Sequence, residues 1–358
     1  MAKPIWNDNE KRWIISAQKN GERIRFTCNT PGRRGMLTVK KKYSDWLAGI
    51  TPVVAPLLSE AWKAYAEDIR LRCATSTHIN NSKYGEAYLL PHFGKRRTDQ
   101  ITEHDWQKIL NAAKKKDGTP LSKKTVSNIK GIIINFCKFC RRAKWMDTVP
   151  EDLYLQRNLE KKGKPLVPPA LMREVFDEKN NGVWYIHSWR FMALTGIRPG
   201  ELRGIRDEDI VDGALHIRRA IDPHGNVTEG KSINARRVLV LPALAIKAIG
   251  DQLDMVGDRD RVSLFCSPTG IIPNATWYFR QWKTFCTERG FDVPLYSFRH
   301  TFVSITKNTI PEETLKLWVG HSDAMDTTET YGHEIPGEIK NASKIVDISM
   351  TRYLEIMQ

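Results

Sequence analysis

The sequence predicts a multidomain protein that is mainly α-helical and contains small β elements. At 358 residues the chain is long enough for two or three hydrophobic cores. Apolar residues recur at helical spacing over residues 56–156, whereas residues 214–241 show two strand-like runs around a turn. Residues 157–169 combine charge, Gly and Pro without an apolar period, which is typical of an interdomain linker.

Residues 1–50 are predicted to form a small β element or an arm. Arg23–Cys28 and Met36–Val39 predict two short strands, and the basic turn Pro31–Gly35 joins them. A flexible basic arm is the alternative interpretation of the same residues.

A helical domain is predicted over residues 56–156. Trp62 and Tyr65 belong to an apolar set at three- and four-residue spacing, and Thr102 begins another helix as a polar cap before an acidic turn. Ser122–Trp145 predicts an amphipathic helix. Its polar positions include the basic residues Lys123, Lys124, Lys130, Arg141 and Arg142. These cations either contact nucleic-acid phosphates or form an ordinary solvated face, and both interpretations stay open.

Positive charge is concentrated in the first half of the chain. The 56 Lys and Arg exceed the 41 Asp and Glu, for a formal net charge of +15, and such an excess attracts polyanions. Residues 1–166 contain 33 Lys and Arg and 16 Asp and Glu, a net charge of +17. Residues 167–358 contain 23 and 25, a net charge of −2. We therefore expect the first half to provide most long-range attraction for a nucleic acid.

Four segments of the C-terminal half carry residue types that suit phosphodiester chemistry. They are TGIRPGEL around Arg198, EGKSINARRVLVLP around Lys231, YSFRHTF around Arg299, and WVGHSDAMDTTETY from Trp318 to Tyr331. A phosphodiester in a pentacoordinate transition state gathers negative charge on its non-bridging oxygens, and planar Arg forks match that geometry. Arg198 and Arg299 are the candidates for this role.

The same segments supply a nucleophile and groups that can transfer protons. A Tyr hydroxyl can attack phosphorus and hold the DNA end as a phosphotyrosine ester, and Tyr331 is the candidate. The departing sugar oxygen needs a proton, which Lys231 on its flexible stem can donate. His321 adds an imidazole. Each residue alone is most simply an ordinary surface or core group, so the prediction depends on their joint order and spacing.

In these motifs the chain resembles the tyrosine recombinases, the phage integrase family. The family signature is an Arg, a hairpin Lys, a His-x-x-Arg motif, a Gly-His pair and a downstream Tyr. The matching positions are Arg198, Lys231, Arg299, His321 and Tyr331. The resemblance covers roughly residues 170–335, and order, local context and spacing all agree.

The resemblance implies a domain arrangement and a function. It implies an accessory, arm-type DNA-binding region at 1–50, a helical core DNA-binding domain at 56–156, a linker at 157–169 and a mixed α+β catalytic domain with a C-terminal tail at 170–358. The implied function is site-specific recombination that cleaves and rejoins double-stranded DNA at attachment or core sites through a 3′-phosphotyrosine, integrating or excising a phage or mobile element. A homo-tetramer on DNA, possible DNA-bending accessory proteins and no cofactor are also implied. A type IB topoisomerase-like enzyme and a catalytically impaired DNA-binding regulator remain as alternatives.

One position departs from the family pattern. Tyr296 stands where the family usually has the first His of His-x-x-Arg. A phenol, with a pKa of about 10, can donate a hydrogen bond to phosphate but does not exchange protons near neutrality as imidazole does. Tyr296 then only positions the phosphate, or His321 takes more of the proton transfer, or the enzyme is slow. Glu201 matches a family position whose acid supports the site, although an ordinary ion pair is the alternative.

A competing motif overlaps the hairpin. Gly225–Ser232 fits the G-x-x-x-x-G-K-S pattern of nucleotide-binding P-loops, which need a helix that begins at the Lys. Ala214–Arg218 and Arg237–Leu241 instead predict two strands around a turn at Asp222–Asn226. This context favours a β-hairpin that carries Lys231.

The tail and the cysteines complete the prediction. After Tyr331, Ala342 and Val346 belong to an amphipathic pattern that, by resemblance, docks on a neighbouring protomer; a self-packing helix is the alternative. Cys137 and Cys140 lack a second ligand pair, so no metal site is predicted. The sequence shows neither a signal segment nor an apolar run long enough to span a membrane. We expect a reducing bacterial cytoplasm, association with the nucleoid and no membrane partner.

Overall fold

The chain divides into two compact units, Met1–Lys162 and Gly163–Gln358. The computed structural model describes residues 2–19, 22–49, 54–157, 163–229, 236–320 and 338–355. Two separate hydrophobic clusters lie in the first unit, and one large cluster lies in the second.

An antiparallel sheet and a helix form the N-terminal part of the first unit. The elements are β1 (Ile5–Asn7), β2 (Arg12–Lys19), β3 (Glu22–Cys28) and α1 (Gly32–Leu47), with strand order β1-β2-β3. Ile15 of β2 lies opposite Phe26 of β3, and both belong to one cluster with Val39 of α1. The strand predicted at Arg23–Cys28 is therefore confirmed.

The second predicted strand, Met36–Val39, is wrong because these residues lie inside α1. Gly35, Val39 and Tyr43 repeat every four residues, so they share one helical face, and that face packs on the sheet. A Cβ at Gly35 would lie 2.9 Å from Cδ1 of Trp13 in β2, which shows how closely helix and sheet approach. The described residues here form a folded sheet and helix instead of a flexible arm.

A helical core follows in the same unit. Its helices are α2 (Leu58–Arg72), α3 (Thr75–Tyr84), α4 (Leu90–Phe93), α5 (Glu103–Ala112) and α6 (Lys123–Arg142), with a π-helical turn at Gly85–Leu89. Trp62 packs against Phe136 with ring centroids 5.4 Å apart, and Trp106 packs on the same ring. The predicted helix starts are confirmed, since the hydroxyls of Thr102 and Ser122 accept hydrogen bonds from the first turns of α5 and α6.

The second unit surrounds a buried helix. Its helices are α7 (Pro169–Phe176), α8 (Ile186–Thr195), α9 (Pro199–Gly204), α10 (Ala243–Val256), α11 (Ala275–Thr287), α12 (Ser297–Thr306), α13 (Glu312–Val319) and α14 (Glu338–Glu355). Its strands are β4 (Ile210–Val211), β5 (Ala214–Ile217), β6 (Ala220–Ile221), β7 (Val227–Thr228) and β8 (Arg237–Val240). Every residue of α8 is buried, and α7, α9, α10, α12 and α14 contact it. A helix that is covered on all sides is part of the hydrophobic core, and the elements that contact it pack around it.

The predicted hairpin is confirmed by two antiparallel pairings that flank the turn at Asp222–Asn226. Strand β8 pairs antiparallel with β5, and β6 pairs antiparallel with β7. The N–H of Asp222 donates to the carbonyl oxygen of Asn226 at 2.9 Å, which closes the turn. Lys231 lies outside the described residues. The P-loop alternative is contradicted, because the next described element after Lys231 is strand β8 and not a helix.

Helix α14 packs on its own unit. Ala342, Val346 and Met350 are buried in the large cluster. Both carboxylate oxygens of Asp347 accept hydrogen bonds from the first turn of α10, at Ala243 N (2.7 Å) and Leu244 N (3.2 Å). The self-packing alternative therefore describes residues 338–355 of this structure.

Candidate active site

The site is centred on the first turn of α9. Arg198 immediately precedes this helix in extended conformation, and Glu201 lies in its first turn. The backbone N–H of Arg198 donates to Oε2 of Glu201 at 2.9 Å, and Nη1 of Arg198 donates to Oε1 at 2.7 Å. The carboxylate therefore caps the helix and orients the guanidinium at once.

A third arginine, Arg237, reaches the same carboxylate from strand β8. Its Nη1 donates to Oε1 of Glu201 at 3.1 Å, and its Nη2 donates to Oε2 at 3.0 Å. The sequence pattern predicts that Arg237 lies in a strand but indicates no role for it in the site. Strand alternation was the available signal, since Arg237 shares a face with the buried Leu239 while Arg236 is exposed.

Arg299 is buried on helix α12 and is 2% exposed. Its Nη1 donates to the carbonyl oxygen of Gly196 at 2.9 Å, and its Nη2 donates to that of Val319 at 2.5 Å. Gly196 ends α8 at φ 64°, and a Cβ there would lie 2.4 Å from Cδ1 of Phe302. Only glycine suits both this backbone angle and this close approach.

The three guanidiniums meet at the C-terminal end of α13. Nε of Arg237 donates to the carbonyl oxygen of Trp318 at 2.6 Å, and Nη2 of Arg198 donates to that of Gly320 at 2.7 Å. With Arg299 on Val319, three consecutive carbonyls accept from three different arginines. The last carbonyls of a helix lack intrahelical donors and carry partial negative charge, so they attract these cations.

The end of α13 is held in place by contacts of Trp318 with Thr195 and Phe302. Nε1 of Trp318 donates to the carbonyl oxygen of Thr195 at 2.9 Å, and its ring stacks on Phe302 with centroids 6.2 Å apart. Gly320, the last described residue before His321, therefore follows a helix end that is held in place by the core. His321 and Tyr331 lie outside the described residues.

Burial and neighbouring charges have opposite effects on the pKa of Glu201, but burial and the charge of Arg198 both lower the pKa of Arg299. Burial alone would raise the pKa of Glu201, but the charges and hydrogen bonds of Arg237 and Arg198 outweigh it and hold that pKa below its usual value. Burial, and after it the charge of Arg198, lowers the pKa of Arg299 to about 10. Glu201 is thus ionised and Arg299 still cationic at neutral pH, and the cluster favours an anionic ligand.

Tyr296 lies at the start of α12 and is 39% exposed. Its ring meets the ring of His300 edge-to-face, with centroids 5.1 Å apart. Burial, followed by the charges of Lys164 and Arg299, lowers the pKa of His300, so its imidazole is neutral at pH 7. The phenol is therefore accessible, next to the helix that carries Arg299.

The five candidate DNA contacts on α6 fall into two groups. Lys123, Lys124, Arg141 and Arg142 are exposed. Lys130 is half-buried, and its ammonium donates to the carbonyl oxygen of Leu153. The structure thus gives Lys130 a packing role that the sequence did not indicate.

The described residues also bear on metal binding, thiol chemistry and membrane insertion. Within the described ranges, no cluster of three His, Cys, Asp or Glu side chains could hold a metal ion. Burial raises the pKa of the thiols of Cys137 and Cys140, which keeps them protonated. In the part of the chain that the structure describes, no helix is both long and apolar enough to cross a membrane.

Comparisons with known proteins agree with the motifs. No protein-family model matches this sequence. An integrase from Streptomyces ambofaciens is 24% identical over 382 residues, covering 96% of this chain and 94% of that protein. The Tn1549 transposon integrase in complex with a circular intermediate DNA superposes with a TM-score of 0.64 at 16% identity, over 80% of this chain and 98% of that chain. The lambda integrase tetramer bound to a Holliday junction superposes with a TM-score of 0.58 at 13% identity, over 92% of this chain and 95% of that chain.

These likenesses establish the fold. The superposition on lambda integrase extends over both units of this chain, and that on the Tn1549 protein covers nearly all of the known chain. The mainly helical, multidomain architecture predicted from the sequence is confirmed. The chain has the fold of the tyrosine recombinases, the family that its four C-terminal motifs resemble.

Proposed function

We propose that this protein is a site-specific DNA recombinase of the integrase type, which cleaves and rejoins DNA through a 3′-phosphotyrosine. One observation carries the proposal: the guanidiniums of Arg198 and Arg299 donate to the adjacent carbonyls of Gly320 and Val319, directly before His321. Residues far apart in sequence are thereby gathered where the segment with the candidate nucleophile begins.

The arginines stabilise the transition state. The hydroxyl oxygen of Tyr331 bonds to phosphorus while the bond from phosphorus to the 5′ oxygen breaks, and the intermediate geometry carries extra negative charge on the non-bridging oxygens. Arg198, whose side chain is 26% exposed, is the more accessible donor, and Arg299 supplies a buried positive charge. Preorganised cations in a site that excludes water are effective stabilisers of such charge.

Proton transfer falls to the remaining candidates. Lys231 donates a proton to the departing 5′ oxygen, and His321 accepts the proton that the Tyr331 hydroxyl loses when its oxygen bonds to phosphorus. Tyr296 donates a hydrogen bond to the scissile phosphate without exchanging protons. Rejoining reverses these steps, with the phosphotyrosine ester storing the energy of the broken bond, so the chemistry uses side chains alone.

The first unit binds DNA and the second acts on it. The exposed cations of α6 contact the phosphates of a core site, and the sheet and helix of residues 2–49 bind a separate arm-type site. The basic balance of residues 1–166 supports this division. By analogy with the lambda tetramer on a Holliday junction, four protomers act on two duplexes. DNA-bending proteins assist the assembly of this complex. We infer that a protein acting on such DNA works at the nucleoid, in the cytoplasm of a bacterial host.

Covalent capture tests the proposal. The protein is incubated with a pool of nicked duplexes of randomised sequence, designed so that the short cleaved strand diffuses away and rejoining fails. We expect adducts that survive detergent, map to Tyr331 and disappear in Tyr331→Phe. Binding without an adduct would point instead to a DNA-binding regulator. Relaxation of supercoiled DNA without joining of two sites would point to a topoisomerase.

A further inference from the structure

We propose that Arg237 is a positioning residue, which sets the geometry of both Arg198 and Arg299 without touching the DNA. The inference rests on the proposed function and deepens it. Arg237 contacts two parts of the framework that hold the other guanidiniums, the carboxylate of Glu201 and the end of helix α13.

The first contact orients the carboxylate of Glu201. Arg237 places one terminal nitrogen on each oxygen of Glu201, a bidentate arrangement that fixes the plane of the carboxylate. The same two oxygens accept from the side chain and the backbone of Arg198. Loss of the fork would let the carboxylate rotate toward Arg198, and the guanidinium of Arg198 would move with it.

The second contact fixes the helix end. Nε of Arg237 holds the carbonyl of Trp318, and the following carbonyls of Val319 and Gly320 hold Arg299 and Arg198. A shift of this backbone would therefore displace the acceptors of both arginines together. Displacement of about 1 Å in a catalytic array can cost about 100-fold in rate.

The burial of Arg237 indicates that it positions other residues and does not contact the DNA itself. The side chain of Arg237 is 8% exposed, compared with 26% for Arg198, so a DNA strand reaches Arg198 more readily. Three donors in one rigid plane are needed to join a carboxylate and a backbone carbonyl in different directions. Lysine keeps the positive charge but lacks the planar guanidinium, so Arg237→Lys should retain only part of the positioning function.

The test compares a charged and an uncharged scissile group. The substrate is a nicked duplex recovered by covalent capture, made once with the natural phosphodiester and once with a neutral methylphosphonate at the cleaved position. Single-turnover rates of adduct formation are measured for the wild type, Arg237→Met and Arg237→Lys, alongside DNA affinity and thermal unfolding. Arg289→Met is the matched control, because Arg289 also joins a carboxylate (Glu174) and a backbone carbonyl (Phe285) but, among the described residues, shares no hydrogen-bond partner with the site.

If Arg237 is a positioning residue, its substitution should slow adduct formation more on the charged phosphodiester than on the neutral methylphosphonate. We expect Arg237→Met to form the phosphodiester adduct about 100-fold more slowly and Arg237→Lys about 10-fold more slowly, with DNA affinity unchanged. On the methylphosphonate both losses should shrink to a few fold, because less charge needs precise neutralisation. Arg289→Met should leave both rates unchanged.

The outcomes separate this inference from the proposed function. Equal losses on both duplexes would indicate general damage to the fold and overturn the positioning role, as would wild-type rates for Arg237→Lys on both. If the wild type formed no adduct on either duplex, the proposed function and this inference would fall together.

Discussion

The carboxylate of Asp347 caps helix α10 at Ala243, accepting its backbone N–H at 2.7 Å. Pro242, the residue before the helix, offers no side-chain cap, so the C-terminal helix α14 supplies one from 104 residues away. A side-chain cap is worth about 1 kcal/mol, and this one also attaches α14 to its own unit.

Asp347→Ala is therefore expected to lower the free energy of unfolding by about 1 kcal/mol. Urea unfolding followed by tryptophan fluorescence measures the loss. Ile348→Ala is the control, since Ile348 is 59% exposed on the same helix and should change stability little. Equal stability of Asp347→Ala and wild type would show that the cap contributes nothing.

The ionised state of Glu201 makes the second unit sensitive to acid. Because the folded-state pKa of Glu201 is depressed, its stabilising contribution is complete above the ordinary carboxyl pKa of about 4.5 and is lost as the pH falls further. At pH 7, Glu201→Gln leaves Arg198 and Arg237 without their carboxylate and should cost about 3 kcal/mol. Urea unfolding from pH 7 to pH 3 should show the wild-type advantage shrinking below pH 4.5. A difference that stayed constant with pH would contradict the assignment.

The exposed cations of α6 are expected to contact DNA phosphates. Each of Lys123→Ala, Lys124→Ala, Arg141→Ala and Arg142→Ala should reduce the salt slope of binding by about 0.9, the value for one phosphate contact. Lys130→Ala is the matched comparison on the same helix. Its ammonium is engaged by Leu153, so it should lower stability and leave the slope unchanged. Unaltered slopes for all five would favour the solvated face.

Substitutions of Tyr296 test the role of the one position that departs from the family pattern. Tyr296→His should leave strand cleavage unchanged or make it faster, because imidazole both donates to phosphate and exchanges protons near neutrality. Tyr296→Phe removes only the hydroxyl and should slow cleavage if that group positions the phosphate. Single-turnover cleavage from pH 6 to pH 9 measures both. Complete loss in Tyr296→His would mean that the phenol has a role that imidazole cannot fill.

Much of the secondary structure could be predicted from local sequence patterns. Helix α6 was predictable because its apolar spacing and the Ser122 cap both act within a few residues, and the hairpin was predictable from its turn. The strand prediction for Met36–Val39 was wrong because a short apolar run is compatible with either a strand or a helix. Contacts of Val39 with Ile15 and Phe26 decided for the helix, and those contacts join distant parts of the sequence.

Motifs and composition were enough to identify the residue types of the candidate site, their order, and the uneven distribution of charge, because none of these requires knowledge of distances. That Arg237 joins Glu201, and that three arginines donate to consecutive carbonyls of α13, became visible only in the folded chain. The tertiary structure also decided that α14 packs on its own unit. Each of these depends on contacts between elements remote in the chain, which form only when packing around α8 brings their ends together.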